Sequence, residues 1–121
     1  MTQEHKELLL KDLCARLPYG IKASYYGADE ECETWDEVDG VVFDYVEIGQ
    51  YSLPIERIKP YLFPMSSMTE EQYKEYWELE HSGNMEHLSI PALDWLNKNH
   101  FDYRGLIEKG LAIDATNLNV Y

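Results

Sequence analysis

Apolar residues recur along this chain with two different periods, and the change of period divides it. Leu9, Leu13 and Leu17 return every four residues with Leu10 and Cys14 beside them, which predicts an amphipathic helix over residues 3–17. Thr2 suits its N-cap, and Pro18 with Gly20 ends it. From Ile21 the period becomes two. Ile21, Ala23 and Tyr25 alternate with Lys22, Ser24 and Tyr26, as along a half-buried strand. A polar loop over 27–31 and a second strand over 32–38 follow, closed by a hairpin turn at Asp39-Gly40. A strand over 41–48 and a glycine-first turn at Gly49-Gln50 come next. Tyr51, Leu53 and Ile55 alternate again, and Pro54, with no N–H to donate, marks an edge strand.

The helical period returns after residue 68. In Thr69-Glu70-Glu71-Gln72 the Thr69 hydroxyl can accept from Gln72 N–H while the Gln72 side chain reaches back, a capping box. Met68 and Tyr73 flank it as a hydrophobic staple, and Tyr73, Tyr76 and Trp77 supply an aromatic face. Residues 81–88 read as a loop, and Ser89 with Pro91 opens a helix carrying Leu93 and Leu96 that ends near Asn99. Asp102 is expected to cap a short helix over 103–109, stopped by Gly110, and 111–121 to add a last strand or lie on the core. Tyr61-Leu62-Phe63, between Pro60 and Pro64, read as a joint that leaves the sheet and packs against the core. The whole predicts a single α+β domain over residues 1–121. It comprises an N-terminal helix, a small antiparallel β-meander (an SH3-like half-barrel if it curls) and two to three C-terminal helices.

A chain of 121 residues can bury one real core, and its ten tyrosines, three tryptophans and three phenylalanines are what such a core needs. The formal charge of −13 narrows the partners. It opposes any surface that neutralises phosphates, so direct nucleic-acid binding and anionic membranes are excluded and a basic protein partner is favoured. No apolar run approaches the ~18 residues of a membrane span. The stretch Met1-Thr2-Gln3-Glu4-His5 lacks the basic flank of a signal peptide, which suits a cytoplasmic protein. Cys14 and Cys32 are expected as free thiols in a reducing compartment, Cys14 buried on the apolar helix face. The acidic neighbours of Cys32 disfavour a thiolate nucleophile.

Between Ser24 and Glu56 there is no lysine or arginine, against ten acids: Asp29, Glu30, Glu31, Glu33, Asp36, Glu37, Asp39, Asp44, Glu47 and Glu56. At a period of two, several carboxylates share a face. Such a face either docks a basic protein or is a solvated margin that deters edge-to-edge pairing. Tyr26 and Trp35 fall out of phase with Ile21 and Val38, so both are expected at the surface. Together with Glu30, Glu33, Asp36 and Glu37 they form the predicted partner-binding surface.

Other chemistry is thin. His81 and His87, with Glu80 and Glu86, could hold a metal and serve a small hydrolase, but their spacing matches no zinc motif. With Gly40 at the sixth position of a calcium loop, Trp35 and Val46 would fall where oxygen donors are required. The chain has no G-x-S-x-G, phosphate loop or dinucleotide fingerprint, so no catalytic residue and no cofactor is assigned.

The segments LLLKDLCARLPYG (8–20), KPYLFPMSSMTEEQ (59–72) and DWLNKNHFDYRGLIEKGLA (94–112) resemble a family of short uncharacterised proteins of gut Bacteroidales and their phages and mobile elements. The likeness covers the first twenty residues and most of 54–121, and leaves the acidic middle aside. It implies no activity, cofactor or site residue. It does imply a setting in which small acidic proteins act as modulators or inhibitors of a host protein, or as structural components of a phage or mobile element.

Overall fold

The computed structural model describes residues 1–26, 33–80 and 90–121, with the side chains of Tyr26, Glu33 and Thr34 outside that description. Helix α1 spans Gln3–Arg16, and the Thr2 hydroxyl accepts from His5 N–H at 3.1 Å, satisfying an amide the helix itself leaves unpaired. A single 3-10 turn, Leu17–Tyr19, and Gly20 at φ 70 close it. The stripe that α1 buries is Leu9, Asp12, Leu13 and Arg16, the spacing of one helix face with two of its four places taken by charges. Cys14, expected in the core, is therefore exposed, because the buried stripe lies one position away.

Four strands follow as an antiparallel meander: β1 (Lys22–Tyr26), β2 (Glu33–Val42), β3 (Tyr45–Ile48) and β4 (Tyr51–Pro54). Gly49, at φ 60, makes the predicted glycine-first turn, and β4 is the sheet edge that Pro54 implied. The first hairpin differs from expectation. Asp39-Gly40 is not a turn; β2 runs through it with a bulge between Val38 and Gly40, and the chain reverses at Phe43-Asp44 instead. The bulge inserts one residue, so Val38 and Val41 both reach the core although three positions apart.

The proline-bracketed stretch is the larger correction. It does not leave the sheet: it is β5 (Ile58–Pro64), antiparallel to β1 and central to the sheet order β4-β3-β2-β1-β5-β6. Tyr61 C=O faces β1, since it accepts from the Tyr121 hydroxyl that also bonds the Lys22 backbone, whereas Leu62 C=O accepts from Ala115 N–H on the opposite edge. Pro60 shares the direction of Leu62, so its missing N–H faces an edge that pairs only from Tyr61 onward. As expected, Tyr61 and Leu62 are buried.

Helix α2 (Glu70–Glu80) begins at the capping box, with Gln72 N–H donating to Thr69 Oγ1 at 3.1 Å and Thr69 N–H to Gln72 Oε1 at 2.9 Å. Helix α3 (Ile90–Lys98) leads into β6 (Phe101–Asp102), and β7 (Ile113–Asp114) joins β5; both strands run parallel to it. Residues 103–110 form successive turns rather than the helix expected there. Asp102 still caps them, accepting from Leu106 and Ile107 N–H at 2.8 and 2.9 Å.

The fold is thus α+β. Leu9 and Leu13 of α1 pack with Ile21, Ala23, Val46, Ile48, Ile58 and Leu62 on the inner face of the sheet. On the outer face, Ala115 and Val120 of the C-terminal tail cover Tyr61 over β5. No described helix is long and apolar enough to cross a membrane.

Candidate interaction surface

Two polar arrangements stand out, and burial separates their roles. The first lies inside. Asp12 and Arg16 are both fully buried; Arg16 Nε donates to Asp12 at 2.9 Å and Arg104 Nη1 donates to its other oxygen at 2.8 Å. Arg16 Nη2 donates to Phe101 C=O at 2.6 Å, so α1 is tied to β6 across 85 residues. Tyr103 is flanked by Arg16 and Arg104, whose guanidinium carbons sit 5.2 and 4.6 Å from its ring centre. His100 is buried beside this cluster and stacks on the Tyr121 ring at 3.9 Å. Burial first, then the charges of Arg16 and Lys22, lower its pKa to about 4, so the imidazole is neutral. With Asp12 and Arg16 fully buried and bonded to Arg104 and the Phe101 carbonyl far along the chain, this cluster organises the fold.

The second arrangement faces outward. Strand register assigns each residue of β2 to a face, because directly opposed residues project together. Trp35 pairs with Ser24 and Glu37 with Lys22, and these lie on the outer face. Beyond the bulge, Gly40 pairs with Glu47 and Val42 with Tyr45, on that same face. On the outer face the tail packs on Tyr61 of β5 and meets Lys22 of β1, and among the described residues the outward side chains of β2 and β3 are left open. On the open part Trp35 is 48% exposed, Val42 48% and Tyr45 50%, with Glu37 and Glu47 exposed among them. Phe43, at the hairpin tip, is 91% exposed.

Lys22 borders this surface, and exposed Lys59 of β5 lies in the same cross-strand row as Ser24 and Trp35. Lys22 Nζ donates to Val120 C=O at 2.6 Å and lies 5.3 Å above the Trp35 ring. Trp35 meets Tyr61 edge-on, with ring centres 6.5 Å apart. Trp35 is therefore half fixed in the molecule and half open, and its face already receives an ammonium group from within the chain.

The predicted set divides. Trp35 and Glu37 lie together on the open face. Asp36 does not join them: it pairs with Ala23 and projects to the inner side, where it adds to burial in raising the Tyr25 pKa. Glu30 lies outside the described residues, as do the side chains of Tyr26 and Glu33, although the backbone register pairs those two residues. His81, His87 and Glu86 of the metal alternative, and Cys32, also lie outside them. Among the described residues no group of three histidine, cysteine or carboxylate side chains is placed to hold a metal ion. Sequence reading missed Val42 and Phe43, and counted Tyr45 among the aromatics and Glu47 among the acids without assigning either to the surface; all four lie within the span taken as one strand. No protein-family model, no curated protein and no solved structure matches this chain.

Proposed function

We propose that the chain is a non-catalytic interaction module whose open sheet face, with Trp35, Glu37, Val42, Tyr45 and Glu47, docks a basic protein. The observation carrying this reading is the open outer face of β2 and β3, where large apolar side chains alternate with carboxylates. The apolar groups supply area to bury, and the carboxylates supply long-range attraction and orientation. The absence of lysine and arginine from Ser24 to Glu56 means that nothing within that span neutralises the field. The resemblance to phage and mobile-element proteins supports a modulator of a nucleic-acid-binding host protein in the cytoplasm, since such hosts present basic surfaces.

The test is tagged capture from Bacteroidales cells with mass-spectrometric identification. Glu37→Lys with Glu47→Lys should lose a basic partner that the wild type retains. Glu75→Lys with Glu78→Lys on α2 makes the same change of net charge away from the face and should keep it. Identical captures by all three proteins would sink the proposal.

A further inference from the structure

The β2–β3 hairpin is built against the preference of its own first turn residue. Val42 pairs with Tyr45, leaving a two-residue loop in which Phe43 has φ 54 and Asp44 is not in the positive region. That is the turn in which glycine is favoured at the first position, because a Cβ there crowds the backbone. A bulky residue at such a φ is an outlier. Burial within the chain does not offset its cost, since Phe43 is 91% exposed. Gly49 occupies the corresponding first position of the β3–β4 turn, at φ 60, where the nearby Tyr25 hydroxyl also leaves no room for a Cβ; Phe43 takes the same position without glycine's freedom. Backbone strain with no internal compensation points to a use outside the fold.

We propose that Phe43 is the apolar anchor of the acidic face and enters an apolar pocket rimmed by lysine and arginine on a partner protein. This rests on the reading of the face as a docking surface. Charge complementarity selects the occupant. Glu37 and Glu47 share the face, whereas Asp44, next to Phe43, turns to Lys6 of α1 at 3.9 Å; a pocket receiving the ring therefore meets Glu37 and Glu47 at its rim. A second copy of a chain with net charge −13 would set like charges against one another, and an anionic lipid surface would do the same. An exposed aromatic side chain ringed by polar groups is the form that interface hot spots take.

Two synthetic peptides of equal length and charge serve as probes, one alternating leucine and lysine, the other serine and lysine. Titration of the intact chain should show the leucine peptide binding roughly tenfold more tightly. Phe43→Gly should erase that difference while leaving the charge-driven binding of the serine peptide, and should raise the melting temperature by a few degrees. Phe43→Leu should restore part of the preference. If the wild type binds both peptides equally, the anchor falls while the acidic face stands; if it binds neither, both fall. A lower melting temperature in Phe43→Gly would make Phe43 a fold residue and overturn the inference. So would binding to phosphatidylcholine vesicles, or concentration-dependent self-association in the ultracentrifuge, that Phe43→Gly abolishes.

Discussion

Replacing Asp12 by alanine should unfold this protein more readily than any surface change, and the size of the effect follows from what is left behind. The carboxylate bonds Arg16 Nε at 2.9 Å and Arg104 Nη1 at 2.8 Å, and the Asp12 and Arg16 side chains are 0% exposed. Without it, the Arg16 guanidinium stays buried with Phe101 C=O as its hydrogen-bond partner and Nη1 unmatched by protein. Leaving a buried charge uncompensated costs ~3–5 kcal/mol. That is a fifth or more of the ~5–15 kcal/mol that holds a domain together. At this chain length it corresponds to a fall in melting temperature on the order of 10–20 °C. Urea unfolding followed by tryptophan fluorescence measures the loss directly. A second variant tests the cause: Asp12→Leu with Arg16→Met removes both charges and keeps apolar volume, and should lose less stability than Asp12→Ala alone. A cost below ~1 kcal/mol for Asp12→Ala would refute the reasoning. A double variant no better than the single one would show that lost packing, not unpaired charge, dominates.

Two further predictions come from the interior. His100 titrates at about 4 in the fold against 6.5 in model peptides, with Arg16 of α1, Lys22 of β1 and the Tyr121 ring of the tail facing it. Between those values the unfolded chain binds the extra proton, so this contribution is complete above the unfolded value and lost as pH falls toward the folded one. From pH 7 to pH 5 the loss is ~2 kcal/mol. His100→Asn, which tolerates the positive φ of 61 there, should lack that dependence in urea midpoints; parallel pH profiles for the two proteins would refute it. Gly49→Ala should cost ~1–2 kcal/mol through its left-handed φ of 60 alone, and a Cβ would meet Tyr25 Oη at 2.7 Å. Tyr25→Phe should recover part of that cost, and an unchanged urea midpoint for Gly49→Ala would refute the close approach.

What the sequence concealed has a common cause: in each place tertiary context overrode a local rule. The helix α1 was legible from its ends, Thr2 and Pro18-Gly20, but its buried face was not. Leu9, Leu13 and Leu17 draw the eye to a four-residue stripe, while Asp12 and Arg16 look like a solvated pair of opposite charges. Only the arrival of Arg104 and the Phe101 carbonyl from 85 to 92 residues away makes their burial affordable. The stretch between Pro60 and Pro64 read as a joint leaving the sheet, yet it stays in as β5, and Pro60 is accommodated there because it presents its missing donor to an edge whose pairing with β7 begins at Tyr61. In the hairpin, Asp39-Gly40 carries the local turn signal, yet the bulge keeps Val38 and Val41 both in the core and moves the reversal to Phe43-Asp44. Simple alternation places Trp35 on the outer face, where it is exposed, and for the same reason turns Asp36, one residue on, to the other side.

The placement of cations connects the interior to the surface. Arg16 reaches Phe101, Lys22 reaches Val120 and Arg104 reaches Asp12, contacts that span 85, 98 and 92 residues. Each fastens the C-terminal part of the chain to α1 or β1, and each spends a positive charge inside or along the covered side of the sheet. Lys6, with its Nζ 2.8 Å from Glu56 and 3.9 Å from Asp44, works on the α1 side of the hairpin. Among the described side chains, the charged residues that register places on the open face of β2 and β3 are the carboxylates Glu37 and Glu47. Salt separates the two uses. Ions screen exposed charges over ~8–10 Å and barely reach a buried pair. Attraction of a basic partner to Glu37 and Glu47 must therefore weaken as salt rises, while the Asp12 cluster that shapes the molecule holds.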